Sequence, residues 1–532
     1  MKVTKQQVVI ILIFTIAIFS RIYLWPNTIN EINCDEAMTA INAKAISETG
    51  KDMYGTSWPV YFETWLVGGQ SAMLTYFMAL SIKLFTFSTF AVRLPMLIIS
   101  IISLYIFYKL IDLIFENKKI TIITLLILAI NPWHIMQTQW ALDCNLFPHF
   151  ILMAVYMLTK GIKENKTTLI YFSMGIFGIS TYSYGVALYA VPIFLIIYMI
   201  VALKNEAVTW KEVIISALIV SIFTLPLIIM TVINLFDLDN ISIGGITIQK
   251  FQYFTRTNDM ILFSDNILIQ ICKNIKALFK ILVLNYDGLK WNAIYGIGTI
   301  YVGSIIFAII GLVLLIKDQE IDKNAKNPII IWTIVSLLIG VLINNVNINR
   351  LNVIWYPIIL LIGFGLYKVW EKFNFNKKII AIIIIIYTME FTIFNIDFYR
   401  NHVYRIENSS TWSKGFKDAV VYTINSKKNI IIDTEILNSD RDIIFGIYLS
   451  NYNFKKYGFL KKDILLENYL NYGNSAAIEA ITKNEKIDFQ NYDGDILDNC
   501  IYIKHKLSNG QLVNNNEYEI KEFNNFYTIT KK

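Results

Sequence analysis

Apolar residues in this chain run for roughly 15 to 22 positions at a time, each run bounded by Lys and Asn. Runs of that length lack the alternation of a strand, and about 20 residues of helix are what a hydrocarbon core requires. They predict transmembrane helices at 8–24, 94–111, 120–136, 146–160, 167–182, 186–203, 213–233, 295–316, 328–343, 351–370 and 379–396. Eleven crossings leave the termini on opposite sides. One further run, 71–86, contains Ser71, Thr75 and Lys83 and lies between Gln70 and FSTFAVRLP. It predicts an interfacial helix rather than a span. Two long outer loops remain, 25–93 and 234–294, and long loops are where function concentrates. The second mixes aromatic and polar residues (Phe251, Tyr253, Phe254, Phe263, Tyr286, Trp291), which fit sugar stacking or a lipid-interface belt equally.

Composition agrees with lipid as the solvent. Of 532 residues, 55% are apolar and only 16% charged, where a soluble protein has about a quarter charged. The net charge of +7 lies wholly in residues 1–396, because 397–532 hold 18 basic and 18 acidic side chains. It is a Lys fringe on alternate loops, including Lys118, Lys119, Lys163, Lys204, Lys317 and Lys378, and no stripe for nucleic acid. By the positive-inside rule the N-terminus is cytoplasmic and the C-terminal region extracytoplasmic, in a multi-pass cell-membrane protein. The run Val8–Leu24 has no small-residue cleavage site after it and reads as a retained first span. The tail, 397–532, predicts a helix at 415–424, strands at 430–433 and 500–504, and a hairpin of 518–523 with 526–530 across Asn524 and Asn525. It carries no phosphate loop or nucleophile elbow. The fold class is therefore a polytopic α-helical membrane protein of about 11 helices over 1–396, with a small extracytoplasmic α/β domain over 397–532.

Charged residues on the outer face are the candidates for chemistry. Asp35 and Glu36 open a helical pattern that stops at Gly50, which places two acids at a helix N-terminus. Such acids cap and match the helix dipole as readily as they catalyse. Asp143 is the one charged residue between Lys119 and Lys160, and its alternative is a cap on the next helix. An ionisable group at a membrane boundary is costly and points to function. Arg350 stands alone at an outer span end, where an interfacial anchor is the other reading, and Arg256 lies in the second outer loop. Lys83 and Arg93 read as snorkelling to headgroups. Cys34 and Cys144 adjoin the two acids, and a bridge between them would hold the acids together, whereas two small buried side chains explain them as well. Cys272, Cys500 and the scattered histidines make no metal spacing.

A first span, an outer loop opening on Asp-Glu, the Arg93-Leu94-Pro95 step, NPWH with Asp143 beyond it, TYSYG at the fifth span, and Arg350 in NRLNVIWYP together resemble the GT-C glycosyltransferases. The nearest group is the protein O-mannosyltransferases with the aminoarabinose lipid A transferases, over about 1–396. Gln139 departs from the pattern, standing where many relatives have Arg. The resemblance implies transfer of a sugar, with inversion, from a polyprenyl-phosphate donor to a protein, lipid or cell-wall glycan. It makes Asp35 the general base, with Glu36 and Asp143 beside it as catalytic candidates. Arg350 and Arg256 would meet the donor phosphate, and Tyr182, Tyr184 and His134 the substrate. No cofactor is required; a divalent cation shared by Asp35, Glu36 and Asp143, as in the related oligosaccharyltransferases, stays open, although the first outer loop lacks an acid-x-acid motif. Asp237 and Asp239 read as a solvated turn. The competing class is a transporter or flippase of a lipid-linked sugar, against which stand the few intramembrane charges.

Overall fold

The computed structural model describes residues 4–63, 69–251, 261, 266–409, 412, 414–426, 428–433, 453–459, 487–490, 497–506 and 517–532. Helices α1 (Lys5–Ile22), α2 (Cys34–Thr49), α3 (Ala72–Phe85), α4 (Thr89–Phe115), α5 (Lys118–Ala129) and α6 (Pro132–Met136) come first, with a short β1–β2 pair (Tyr61–Glu63, Gly69–Ser71) before α3. Then follow α7 (Asp143–Lys163), α8 (Thr167–Ser180), α9 (Ala187–Lys204), α10 (Trp210–Leu235), the hairpin β3–β4 (Ile241–Ile243, Ile246–Ile248) and α11 (Ile267–Leu284). Helices α12 (Ser304–Lys317), α13 (Lys323–Leu342), α14 (Trp355–Lys372), α15 (Lys377–Asp397) and α16 (Val403–Glu407) lead to the tail, which holds α17 (Phe416–Asn425) and strands β5 (Asn429–Asp433), β6 (Ile487–Gln490), β7 (Cys500–His505), β8 (Tyr518–Phe523) and β9 (Phe526–Lys531).

The chain forms two compact units. One comprises Met1–Thr28, Met96–Ile229 and Thr255–His402; the other comprises Ile29–Pro95, Met230–Phe254 and Val403–Lys532. The first is a helical bundle. Among the described residues seven helical stretches are long and apolar enough to cross a membrane: α1, α4, α9, α10, α13, 352–372 and 377–407. The spans expected at 167–182 and 295–316 fold as α8 and α12, each of 14 residues. The one at 146–160 lies within α7, whose 21 residues include Asn145 and His149, both buried. The span expected at 120–136 is not continuous. Asn131 accepts the His134 N–H on its side chain (3.1 Å) and Pro132 starts α6, so an N-cap and N1 proline divide the run.

Helix α14 is the axis of the bundle, buried at every position from Trp355 to Tyr367. Two glycines make that possible. A Cβ on Gly365 would come within 2.1 Å of the Phe307 carbonyl oxygen on α12, and one on Gly311 within 2.1 Å of the Leu361 carbonyl oxygen. On another side a Gly363 Cβ would strike Thr124 Oγ1 of α5 at 2.1 Å. With lipid as solvent, apolar burial does not drive helices together, so backbone contact through small residues must do so.

In the second unit the run 71–86 folds as α3, about 21 Å long and too short to span. It packs on α2, leaving Leu80, Leu84 and Lys83 exposed. The tail forms a five-stranded sheet in the order β6-β5-β7-β9-β8, with β5 parallel to β6 and β7 and the rest antiparallel. Ile431, Cys500, Tyr502 and Ile529 form its core, and Phe416 of α17 meets Phe526 edge-on at 5.0 Å.

The α12–α14 contact yields a stability test. Gly365→Ala and Gly311→Ala will each lower the Tm of the purified protein in detergent, by the equivalent of about 1–3 kcal/mol of overpacking. Gly175→Ala on α8, whose Cβ would meet Phe223 at an ordinary 3.6 Å, will leave it unchanged or higher.

Candidate active site

Helix α2 begins with a capping box. Asn33 is its N-cap, with its side chain accepting the Asp35 N–H at 2.8 Å, and Glu36 reaches back to the Asn33 N–H at 3.1 Å. Neighbouring acids thereby reach different fates. Asp35 stands exposed on the first turn. Glu36 is sealed, with Arg93 donating from Nε to Oε1 and from Nη2 to Oε2, both at 3.1 Å, and neither side chain exposed at all. Arg93 also donates to the Ile29 and Glu31 carbonyls at 2.6 and 2.7 Å. The reading of Arg93 as a snorkelling cation is therefore wrong: it is the buried tie that fixes the loop 29–36. Glu36 likewise moves from catalytic candidate to structural partner, since both its oxygens are committed. Lys83 stays exposed, as expected.

Glu31 carries the loop on into the tail of the same unit. Its Oε1 accepts the Gly415 N–H at 3.0 Å, and Glu407 accepts the Asn30 N–H at 2.8 Å while pairing with Lys414. Gly415 has φ +89, and a Cβ there would fall 2.3 Å from the Phe523 carbonyl oxygen, so only glycine serves. Burial pushes the Glu31 carboxyl up to about 7, against the opposing Gly415 hydrogen bond, with Asp418 and Glu407 adding to the rise and Lys417 opposing it.

The helical unit holds the other candidates. Asp143 is the first residue of α7 and half-exposed, with its Oδ1 accepting the Cys144 N–H at 2.7 Å. Asn352, two residues beyond Arg350, donates to the Cys144 carbonyl at 3.0 Å and to Asn145 Oδ1 at 2.9 Å, and accepts from Trp133 Nε1 at 2.5 Å. Asp143 and Arg350 are thus brought to one corner of the bundle. Arg350 is half-buried, with Nη1 donating to the Asn344 carbonyl at 2.7 Å. Tyr182 spends its hydroxyl on the Phe223 carbonyl at 2.9 Å, and Tyr184 is partly exposed. Gln139 is a buried brace, accepting from Thr28 at 2.7 Å and donating to the Arg21 carbonyl at 3.2 Å. Arg256 lies outside the described residues. Cys34 and Cys144 are not disulfide-bonded, and in the second outer loop Asp237 pairs with Lys250 at 2.7 Å.

His134 is corrected as well: at 1% exposure it cannot reach a substrate. Arg21 Nε, which can only donate, lies 2.9 Å from His134 Nδ1. The imidazole proton is therefore on Nε2, directed at Tyr356 Oη at 2.9 Å. Tyr356 in turn donates to Ser103 Oγ at 2.7 Å and accepts from His149 Nδ1 at 2.7 Å, while His149 Nε2 is 3.4 Å from Ser100 Oγ. Every member has a partner. Arg21, Ser103, His149, Asn352 and Tyr356 were not singled out in the sequence. Polar residues four apart on otherwise apolar runs, Asn145 with His149 and Asn352 with Tyr356, were the available signal.

Two predictions follow from these contacts. Arg93→Met strands a buried carboxylate and will cost about 3–5 kcal/mol in thermal unfolding, much of it recovered in Arg93→Met/Glu36→Gln. Because the Glu31 carboxyl is raised in the fold, its contribution to stability is complete below the unfolded value and fades as pH rises from about 4.5 through about 7. Hydrogen-exchange protection of the Gly415 amide will fall across that window, and Glu31→Gln will abolish the dependence.

Comparison with known proteins identifies the fold. Residues 70–233 match the sequence profile of the dolichyl-phosphate-mannose-protein mannosyltransferase family. ArnT from Cupriavidus metallidurans, solved bound to undecaprenyl phosphate, aligns with a TM-score of 0.60 at 9% identity, over 98% of this chain and 97% of its own. The archaeal oligosaccharyltransferase AglB from Archaeoglobus fulgidus, solved with an inhibitory peptide and a dolichol-phosphate, aligns at 0.53 and 10% identity, over 94% of this chain and 69% of its own. The Archaeoglobus fulgidus oligosaccharyltransferase complex with Zn and sulfate aligns at 0.55 and 11%, over 93% and 68%. A search of curated proteins returned no match. With the profile match at 70–233 and structural alignment over nearly its whole length, this chain is a polytopic membrane protein with the fold of the GT-C glycosyltransferases.

Proposed function

We propose that the protein is an inverting glycosyltransferase that takes a sugar from a polyprenyl-phosphate donor at the outer face of the membrane and gives it to a hydroxyl acceptor on protein, lipid or glycan. The observation that carries this reading is the contrast between Asp35 and Glu36: one carboxylate is exposed on a helix end that the other, with Arg93, holds rigid. A base must be reachable and must not move, and this helix end meets both conditions. The sugar-free lipid phosphates bound in the two solved relatives, undecaprenyl phosphate and dolichol-phosphate, correspond to the carrier left after transfer and support the polyprenyl-phosphate class of donor.

In this reading Asp35 accepts the acceptor hydroxyl proton as the new C–O bond forms at the anomeric carbon. The bond from that carbon to the phosphate oxygen breaks on the opposite side, and the polyprenyl phosphate leaves. Phosphate is a good leaving group, so its growing charge needs a cation rather than a proton, and Arg350 supplies one as a planar fork. Asp143, on the first turn of α7 beside the Asn352 tie, orients the acceptor. The N-terminus is cytoplasmic and the tail domain extracytoplasmic.

Membranes containing the protein will transfer labelled sugar from a polyprenyl-phosphate donor. Asp35→Asn will lower kcat by about 10²–10⁴ with the Tm unchanged, and Arg350→Ala will weaken donor use. Full transfer by both variants would overturn the mechanism, and transfer from a soluble nucleotide sugar would overturn the donor class.

A further inference from the structure

Helix α11, inside the second outer loop, presents three different stripes. Asn274, Leu278 and Ile281 form a buried edge. Asn274 Nδ2 donates to the carbonyls of Val341 and Ile343 at 2.8 and 2.9 Å, at the end of α13 remote from Lys323 and Lys326. Those carbonyls lie where a helix runs out of its own donors, so α11 caps α13 from the side. A second stripe, Leu268, Ile275, Phe279 and Val283, is exposed at 75%, 51%, 65% and 43%. The third is Lys273, Lys276 and Lys280, spaced i, i+3 and i+7 on one side, all exposed and without an ion-pair partner among the described residues.

Neither water nor lipid alone suits this helix. Its 18 residues, about 27 Å, nearly match a hydrocarbon core, yet Lys276 sits near its middle, about 12 Å from the closer end and beyond snorkelling reach, with Lys273 and Lys280 on either side of it. In water the exposed Leu, Ile, Phe and Val stripe would be left wet. An apolar stripe beside a cationic one, with the remaining side docked on protein, fits a helix lying in the plane of the bilayer interface. The unpaired cations then meet the headgroup layer, and charge complementarity makes that layer anionic.

We propose that α11 lies in the interface and that Lys273, Lys276 and Lys280 bind anionic phospholipid headgroups, anchoring the turn that carries Arg350. The coupling is short. Asn274 grips the Ile343 carbonyl and Arg350 Nη1 the next one, at Asn344. An anionic lipid surface thereby sets the level of Arg350 in the membrane whatever substrate the protein uses.

Cys272 is exposed on α11 between the apolar and cationic stripes and provides the probe. The full chain, labelled there with an environment-sensitive fluorophore, is placed in nanodiscs of phosphatidylcholine with or without phosphatidylglycerol. Spin-labelled lipids with shallow quenchers will quench it more than deep ones, and an aqueous quencher will not reach it. Phosphatidylglycerol will be retained preferentially on the purified protein. K273Q/K276Q/K280Q will reduce that preference by roughly fivefold per lysine at low salt, raised salt will do the same, and K273R/K276R/K280R will keep it. Strongest quenching from water or from the deep label would overturn the interfacial placement. Equal retention of the two lipids, or a preference that survives K273Q/K276Q/K280Q, would overturn headgroup recognition.

Discussion

Inside a bundle whose solvent is lipid, a polar atom cannot borrow a hydrogen bond from water, and the Tyr356 hydroxyl is where the helical unit meets that constraint. It joins α4 through Ser103, α6 through His134, α7 through His149, and lies itself on α14. The donor order is forced from one end, because a guanidinium can only give and so leaves His134 only one tautomer. Rings and helix positions follow from that single proton. The glycine contacts of α14 with α12 and α5 provide the closeness, and the network provides the register.

The second unit disposes of three carboxylates within six residues in three ways. Glu31 is buried against a backbone N–H, Glu36 is buried against Arg93, and Asp35 is left outside. Buried charge is tolerable only when paired and fully hydrogen-bonded, and the Arg93–Glu36 pair satisfies this with five bonds from the guanidinium and capping amide. Rigidity bought there serves the residue between them.

Much of the architecture was legible from the chain because a membrane span announces itself by length. The tail hairpin around Asn524 and Asn525 and the helix after Gly415 were legible for the corresponding reason, that turn chemistry is local. What was missed depends on partners far away. Arg93 looked like a headgroup anchor until Glu36, 57 positions earlier, was found beside it. His134 looked like a substrate contact because its neighbours in sequence suggested an outer loop, whereas its neighbours in space come from α1, α4 and α14. Asn131-Pro132 did signal a break, but hydropathy outweighed it. Helix α11 went unread because its lysines interrupt the apolar run that marks a helix in lipid.

Helices α8 and α12, at 14 residues, are about 21 Å long against roughly 30 Å of hydrocarbon. Both present large apolar side chains outward, Phe172 at 59% and Ile306 and Ile309 at 59% each. A bilayer meeting them must thin or draw the flanking turns inward, because exposing backbone ends to acyl chains costs more than bending lipid. The protein therefore shapes its solvent as well as being shaped by it, and lipids beside these two helices are held under the stress of a locally thinned bilayer.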